Sequence, residues 1–153
     1  MRHSGQIEVL ARGVCVKDGA ILLCRSNGAR NTYLPGGHVE FMEAAEVSLA
    51  REIREELGMR ANVGGFLGAI EHTFIQKGEP HCEINLIFEM KIPGLSARVP
   101  LIACEDHISF RWVALGSLVR AKLEPSVLRT LLPVWLRSKK SVLRWGTTIK
   151  VQK

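Results

Sequence analysis

The segment from residue 82 to residue 92 constrains the fold most, because its side chains alternate between apolar and polar. The even positions are Cys82, Ile84, Leu86, Phe88, Met90 and Ile92, and the odd positions are polar apart from Ile87. A period of two is typical of a β-strand that buries one face in a core and turns the other to water or a cleft. The segment therefore predicts a half-buried strand.

Other segments predict further strands. Residues 9–16 and 20–25 are apolar runs that flank Lys17-Asp18-Gly19, and an Asp-Gly pair between such runs predicts a hairpin. Strands are also expected at residues 33–37, at residues 63–75 with a bend at the glycines, and at residues 108–112.

Two helices are expected beside these strands. The first covers residues 42–57 and is stopped by Gly58. The second begins at Glu124-Pro125, because proline suits the first helical position, and it runs through Trp135. Pro133 should kink or split this second helix. Together these elements imply a mixed sheet with helices packed against it.

Length and composition indicate an ordinary globular protein. The 153 residues fit one domain over residues 1–153, and 46% of them are hydrophobic and 24% charged. No apolar run approaches the roughly 18 residues that span a bilayer. The N-terminal residues lead into mixed polar sequence and not into an apolar signal core, so we expect a cytoplasmic location and no membrane partner.

The cysteines argue against a zinc site or a redox pair. Cys15, Cys24, Cys82 and Cys104 show no C-x-x-C spacing. Each lies among apolar or strand-like neighbours, so we expect free thiols that pack as small hydrophobes.

Positive charge is concentrated at the C-terminal end. Residues 1–110 carry 11 Lys and Arg against 14 Asp and Glu, whereas residues 111–153 carry 10 against one, Glu124. This asymmetry fits either a phosphate-rich partner or a solvated basic face. We favour the solvated face over nucleic acid, because Lys139-Lys140 is the only basic pair. The structure of the basic segment 138–153 is left open, as strand, packed tail or disorder.

Three carboxylates share one side of the first predicted helix. At 100° per residue Glu52, Glu55 and Glu56 fall within one 100° arc, beside the apolar stripe that contains Ile53. Such a cluster raises its pKa values or binds a cation, and an all-oxygen cluster suits Mg²⁺ or Mn²⁺. The alternative is a solvated face with Arg51 and Glu55 as an i,i+4 pair. The helix alone favours this alternative.

The turn before the helix favours a cation site over a solvated helix face. Leu34-Pro35-Gly36-Gly37 places small residues where the backbone must approach another group closely. A glycine carbonyl beside the acidic row adds one more possible oxygen ligand.

The spacing Gly37-x5-Glu43-x7-Arg51-Glu52-Ile53-x-Glu55-Glu56-x-Gly58-Met59 resembles the Nudix box of the MutT-like Nudix hydrolase superfamily throughout. The resemblance implies an α/β/α sandwich with a mixed sheet. It also implies a pyrophosphohydrolase that depends on Mg²⁺, with Mn²⁺ possible, and cleaves a nucleoside diphosphate linked to another group. An ADP-sugar and a nucleoside triphosphate are the substrates we consider first, and a dinucleoside polyphosphate stays open.

The resemblance also implies roles for individual residues. The carboxylates of Glu52, Glu55 and Glu56 and the carbonyl of Gly37 would hold the metal, and Arg51, Glu43 and Gly36 would support that row. The general base would be Glu52 or a loop acid before the last strand, with Glu105 preferred to Asp106. Glu71 and Glu83 are lesser candidates for the base. Finally, His38, His72, His81 and His107 are expected to be structural or to lie at the edge of the substrate.

Two other functions stay open from the sequence. One is a non-catalytic Nudix module that senses a nucleotide or RNA, although the retained box carboxylates weigh against it. The other is removal of a pyrophosphate from an RNA 5′ end, with the basic C-terminal third binding the RNA. The family resemblance makes a homodimer plausible.

Overall fold

Two β-sheets and two α-helices form the fold in the computed structural model, which describes residues 5–138 and 143–150. The strands are β1 (Ile7–Val14), β2 (Val16–Lys17), β3 (Ala20–Ser26), β4 (Gly36–His38), β5 (Asn62–Gln76), β6 (Glu79–Lys91), β7 (Ile108–Ala114) and β8 (Trp145–Thr147), and the helices are α1 (Ala45–Leu57) and α2 (Leu128–Arg137). The first sheet has the order β4-β1-β6-β5-β8 and the second has the order β2-β3-β7. The first is a mixed sheet, as predicted, because β1–β6 and β5–β8 are parallel pairs and the others are antiparallel.

The predicted hairpin is present but shorter than expected. Asp18 and Gly19 have φ angles of 51° and 75°, as a primed two-residue turn requires, and Lys17 pairs with Ala20. The run over residues 9–16 is not one strand, however. β1 ends at Val14 and pairs with β4 and β6, whereas Val16 belongs to the second sheet. The chain therefore passes from one sheet to the other at Cys15.

Helices cover both faces of the first sheet. Leu49 and Ile53 of α1 pack with Phe88 of β6 in one core. On the opposite face, Leu132 and Trp135 of α2 belong to a second core that also contains Ile70 and Ile87. The predicted α/β/α sandwich is confirmed by this arrangement.

The second core also explains where the alternation of β6 departs from expectation. Its even face is buried as predicted, but Ile87 on its odd face is fully buried because α2 covers that part of the sheet. Only the earlier odd positions, Glu83 and Asn85, line a cleft.

Both helices begin later than expected. Met42 has a φ of 64°, which a right-handed helix cannot contain, so α1 begins at Ala45 and the residues before it form a loop. The end is as predicted, with Gly58 as a left-handed cap. α2 begins at Leu128 and not at Glu124, and it continues through Pro133 without being split. Its buried apolar face offsets the hydrogen bond that proline removes.

The C-terminal region contains a strand, which is one of the alternatives left open. β8 pairs in parallel with β5, with Ile70 opposite Gly146. Lys139 and Lys140 lie outside the described residues, as do residues 151–153. β5 has register shifts between Val63 and Gly68, where its glycines were expected to bend it.

The four cysteines are free thiols, as predicted. Cys15 and Cys24 are buried and Cys82 is half-buried, but Cys104 is exposed, so the prediction of a core position is wrong for Cys104. It lies in the loop before β7, where its amide donates to the carbonyl of Glu56 and its side chain is exposed. Across the described residues, no helix is long and apolar enough to cross a membrane.

Candidate active site

A cleft of about 780 Å³ opens where α1, the turn before β4 and the loop before β7 meet. Among the residues singled out from the sequence, Gly36, Gly37, Glu52, Glu56 and Glu105 line this cleft. Glu55, Glu43 and Arg51 lie behind that lining, on the exposed side of α1 and its preceding loop. The fold thus brings the turn, the helix and the loop acid to one place.

The glycine turn lies directly against the carboxylate of Glu52. Gly37 pairs with Ala11 of β1, which turns its Cα toward α1. A Cβ on Gly37 would lie 2.4 Å from Cδ of Glu52 and 2.6 Å from each carboxylate oxygen. Gly36 has a φ of 127°, and a Cβ there would lie 2.1 Å from the carbonyl oxygen of Ala11. Only glycine allows the turn and this carboxylate to approach so closely.

Arg51 joins three of the predicted acids. Its Nε donates to Oε1 of Glu43 at 2.9 Å, and its Nη2 donates to Oε2 of Glu43 at 3.0 Å. Its Nη1 donates to Glu52 at 2.9 Å and to Glu55 at 3.1 Å. The hydrogen bonds from Arg51 lower the pKa of Glu43 to about 2, and the carboxylates in turn raise the pKa of Arg51. Glu43 reaches Arg51 from the loop, not from the helix as the sequence predicted.

The carboxyl group of Glu56 lacks a hydrogen bond that a buried group normally has. Its side chain is buried, and within the described part of the chain its Oε2 has no hydrogen-bond partner. Burial raises its pKa to about 8, with Glu52 adding to the rise and the charge of Arg12 opposing it. A buried carboxyl without a partner is costly unless a proton or a cation neutralises it.

The carboxylates fit a metal by chemistry, but they do not converge as predicted. Among residues 5–138 and 143–150, no three His, Cys, Asp or Glu side chains lie close enough together to bind one metal ion as they stand. Arg51 binds the carboxylates of Glu52 and Glu55, whereas Oε2 of Glu56 is buried without a hydrogen-bond partner among the described residues. The carboxylate oxygens, the unpartnered Oε2 of Glu56 and the closely packed turn at Gly36 and Gly37 nevertheless suit a hard divalent cation. Binding of one ion by all three carboxylates therefore requires these side chains to move from their present positions.

The loop acid that faces the cleft is Glu105. The amide of Cys104 donates to the carbonyl of Glu56 at 2.7 Å, which fixes this loop to α1. Glu105 lines the cleft, its charge contributes to the raised pKa of Glu56, and its Oε2 lies 3.2 Å from Nε2 of His107. Asp106 is exposed and does not line the cleft. Of the lesser candidates, Glu83 lines it and Glu71 does not.

Arg12 is a residue that sequence reasoning missed. Its Nη1 donates to the carbonyl of Gly36 at 2.8 Å and to that of Leu34 at 3.2 Å, and its Nε donates to Oδ1 of Asn85 at 3.3 Å. Asn85 is buried and donates in turn to Glu83 at 3.2 Å. A single charged residue inside the apolar run of residues 9–16 was the available signal. This network fixes the backbone of the glycine turn.

The far end of the cleft is aromatic. His72, Phe74 and Gln76 project from β5, and Glu124 and Pro125 border them. Of the four histidines considered from the sequence, His38, His72 and His107 line the cleft, whereas His81 does not. The cleft therefore extends from an acidic end at α1 to a ring-bearing end at β5.

A glycine turn against a helix with three glutamates, on an α/β/α sandwich, defines the class of this protein. Residues 7–133 match the family model described as NUDIX domain, and the chain belongs to that family. The resemblance found in the box is thereby confirmed.

The chain is also similar to particular proteins. A segment is 44% identical over 45 residues to the "Putative mutator protein MutT4" of Mycobacterium tuberculosis (strain CDC 1551 / Oshkosh); it covers 29% of this chain and 18% of that protein. The fold is similar to a NUDIX hydrolase from Nitrosomonas europaea, with a TM-score of 0.70 and 17% identity over 97% of this chain and 82% of that one. It is also similar to an ADP-ribose pyrophosphatase from Streptococcus suis 89-1591, with a TM-score of 0.63 and 14% identity over 92% and 98% of the two chains.

Proposed function

We propose that this protein is a divalent-metal-dependent pyrophosphohydrolase. Its substrate is a nucleoside diphosphate linked to another moiety, an ADP-sugar or a nucleoside triphosphate, and its products are a nucleoside monophosphate and a phosphorylated remainder. The observation that carries the proposal is the buried, unpartnered carboxyl of Glu56 beside Glu52 and the Gly37 turn. Such a group is neutralised either by a proton or by a cation, and pyrophosphate hydrolysis needs a cation at the same place.

The ligands of the ion would be the carboxylates of Glu52, Glu55 and Glu56 and the carbonyl of Gly37. These hard oxygen donors suit Mg²⁺ first and Mn²⁺ second. When bound, the ion supplies charge neutralisation at the phosphates and lowers the pKa of a coordinated water.

The remaining steps belong to side chains of the chain itself. The carboxylate of Glu105, or that of Glu52, accepts the proton of the attacking water, whose oxygen bonds to phosphorus while the bridging P–O bond breaks. Arg51 and Glu43 orient the acidic row through their paired hydrogen bonds. Arg12 keeps the glycine turn at the distance that Glu52 requires.

The test is a panel of ADP-sugars and nucleoside triphosphates incubated with Mg²⁺ or Mn²⁺, with products separated by chromatography. We expect a nucleoside monophosphate to appear only with metal. Glu56→Gln should abolish turnover while the protein stays folded, and Glu46→Gln, on the exposed first turn of α1, is the matched control. Full activity of Glu56→Gln would remove the metal assignment.

The proteins of similar fold do not indicate which of these substrates the protein hydrolyses. The similarity to the Streptococcus suis ADP-ribose pyrophosphatase, at 14% identity, supports the fold alone. An RNA 5′ end is the second substrate class, and it rests on the 10 Lys and Arg of residues 111–153. If RNA is bound, its affinity should fall steeply between 50 and 200 mM salt, by roughly 10³-fold or more for several phosphate contacts. A single domain, a cytoplasmic location and a homodimer are further parts of the proposal.

A further inference from the structure

Four strands lie at the edges of the two sheets in the part of the chain that the structure describes, and one of them is much longer than the others. β4 and β8 border the first sheet with three residues each, and β2 borders the second sheet with two. β7, at the other edge of the second sheet, has seven residues. Short edge strands leave few hydrogen-bonding groups open, whereas a long open edge is a template for another strand. β7 is therefore the edge at which this fold can accept an added strand.

The outer side of β7 is unpaired. On its inner side β7 pairs with β3 over its whole length. Among residues 5–138 and 143–150, no backbone hydrogen bond joins residues 108–114 to any segment other than β3. Because the backbone groups of alternate residues point to opposite edges of a strand, about half of the amide and carbonyl groups of β7 point away from β3. These groups are available to a further strand.

A groove of about 310 Å³ lies between β7 and the loop that precedes it. Phe110, Arg111 and Trp112 form one wall of this groove, and residues 97–101 form the other. Successive side chains of a strand point to opposite faces, so three consecutive residues line one groove only where the groove follows the edge of the strand. Since the other edge of β7 is paired with β3, the groove lies beside the unpaired backbone.

The lining of the groove is basic and apolar. Arg98 and Arg111 are exposed, and neither forms an ion pair among the described residues. The lining contains no Asp or Glu. Val99, which is 60% exposed, adds apolar surface together with Pro100 and Leu101. Guanidinium groups bind carboxylates, so the groove suits an occupant that carries both acidic and apolar side chains.

A second copy of this chain does not suit the same edge. Arg111 is the middle residue of β7, so centred antiparallel pairing of two copies would place one Arg111 opposite the other. Like charges directly opposite each other in a sheet are destabilising. The net charge of +6 also opposes association of two copies and favours an acidic partner. The charges therefore favour a different chain as the occupant.

We propose that the outer edge of β7 binds an extended peptide segment of a partner protein, in which acidic and apolar residues alternate. The segment adds to the second sheet as a strand, so that main-chain hydrogen bonds supply affinity and alternate side chains supply specificity. Cross-strand neighbours share a face of the sheet, so the residue opposite Arg111 is acidic, and the residues opposite Phe110 and Trp112 are apolar. The groove shares no lining residue with the active-site cleft.

The first test uses a capped peptide of the same length as β7, in which valine and glutamate alternate, and a counterpart in which lysine replaces glutamate. Each peptide carries a fluorophore and is titrated with the full-length protein, and anisotropy reports binding. We expect the glutamate peptide to bind roughly tenfold or more tightly than the lysine peptide, because like charges placed together oppose binding. Absence of binding by the glutamate peptide, or equal binding of both peptides, would overturn the proposal.

The second test reverses the charges of the groove. A variant with Arg98→Glu and Arg111→Glu should lose binding of the glutamate peptide and gain binding of the lysine peptide, which a merely structural effect would not produce. The matched control combines Arg60→Glu with Arg120→Glu, because both arginines are exposed and lie outside the groove lining. Retained binding of the glutamate peptide in the groove variant contradicts the proposal, and so does an equal loss in the control.

The third test locates the added strand. Hydrogen exchange followed by NMR should show slower exchange of amides within residues 108–114 when the glutamate peptide is bound, whereas the amides of β4, a different edge, should not change. A fully N-methylated glutamate peptide keeps the side chains but has no amide donors, so it should bind roughly tenfold more weakly. Peptide binding without protection of β7 overturns the proposal. Protection of β7 by a dimer in the absence of peptide also overturns it, because the occupant is then a second copy.

Discussion

The two ends of the cleft are built from different parts of the chain. The acidic end comes mainly from one continuous stretch, the glycine turn and α1, with Glu105 as an addition from a distant loop. The ring end is assembled from β5, from the segment at Glu124 and, through Thr148, from the C-terminal region. Under the proposed function, the reaction chemistry would be concentrated in a local unit, whereas recognition of the substrate would depend on long-range packing. We expect the acidic end to set kcat and the ring end to set KM.

Apart from loss of a metal ligand, the largest effect should come from the proposed base at the acidic end. Glu105→Gln should lower kcat roughly 10²- to 10⁴-fold, which is the usual contribution of a general base. Asp106→Asn changes the neighbouring acid, which is exposed and outside the cleft lining, and should leave kcat unchanged. Steady-state kinetics on the best substrate of the panel measures both. If Glu105→Gln keeps its kcat, the proton acceptor is Glu52 and the acidic end is wholly local.

A smaller effect should come from Arg12, which connects the glycine turn to β6. Arg12→Met removes the hydrogen bonds to the carbonyls of Leu34 and Gly36, so the turn loses its support. Metal affinity, measured by Mn²⁺ titration, should fall roughly 10- to 100-fold, as expected for a residue that orients a metal site. Arg25→Met, on an exposed position of β3, is the control. Unchanged Mn²⁺ affinity would show that the turn is rigid without Arg12.

The strain at the acidic end should appear as a stability effect. The pKa of Glu56 is about 8 in the folded protein and 4.5 in the unfolded chain, so the folded state binds the extra proton between these values. The free energy of unfolding therefore falls as pH rises from 4.5 to 8. In EDTA at pH 8, Glu56→Gln should be more stable than the wild type by about 1–3 kcal/mol, and this gain should vanish below pH 4.5.

Denaturant unfolding at both pH values measures this difference, with Glu46→Gln as the control on an exposed position of the same helix. A variant that is less stable than the wild type at pH 8 contradicts the buried, unneutralised carboxyl. The effect also sharpens the contrast between the two ends. A group kept at a cost in stability is typical of a functional site, whereas the ring end is stabilised by the stacking of Phe74 between His72 and His81.

The residues of the acidic end were predicted from the sequence more completely than those of the ring end, and the reason is physical. Glu52, Glu55 and Glu56 lie within one helix, where a fixed rotation per residue determines which side chains are neighbours. The start of that helix was misplaced because Met42 adopts a left-handed conformation that local propensity does not indicate for a non-glycine residue. The convergence of the carboxylates was also overestimated, since Arg51 binds two of them.

The features that the sequence did not reveal depend on contacts between residues that are far apart in the chain. Arg12 contacts Asn85 across 73 positions, and Thr148 contacts His72 across 76. Both contacts depend on parallel strand pairs, β1 with β6 and β5 with β8, whose register has no local signature. The four histidines could be assigned only to the substrate edge or to structure, because stacking between β5 and β6 becomes visible only when those strands are paired.

The smallest effect should come from Thr148, which touches the ring end from outside the cleft. Thr148→Val keeps the shape of the side chain but removes the hydroxyl beside Nδ1 of His72. Loss of one such hydrogen bond should raise KM for the nucleotide substrate roughly two- to tenfold, with kcat unchanged. Thr148→Ser restores a hydroxyl and should restore KM, which a general loss of stability would not explain. If Thr148→Val lowers kcat and leaves KM as it was, the C-terminal region acts on the chemistry at α1, and the division of labour between the two ends is wrong.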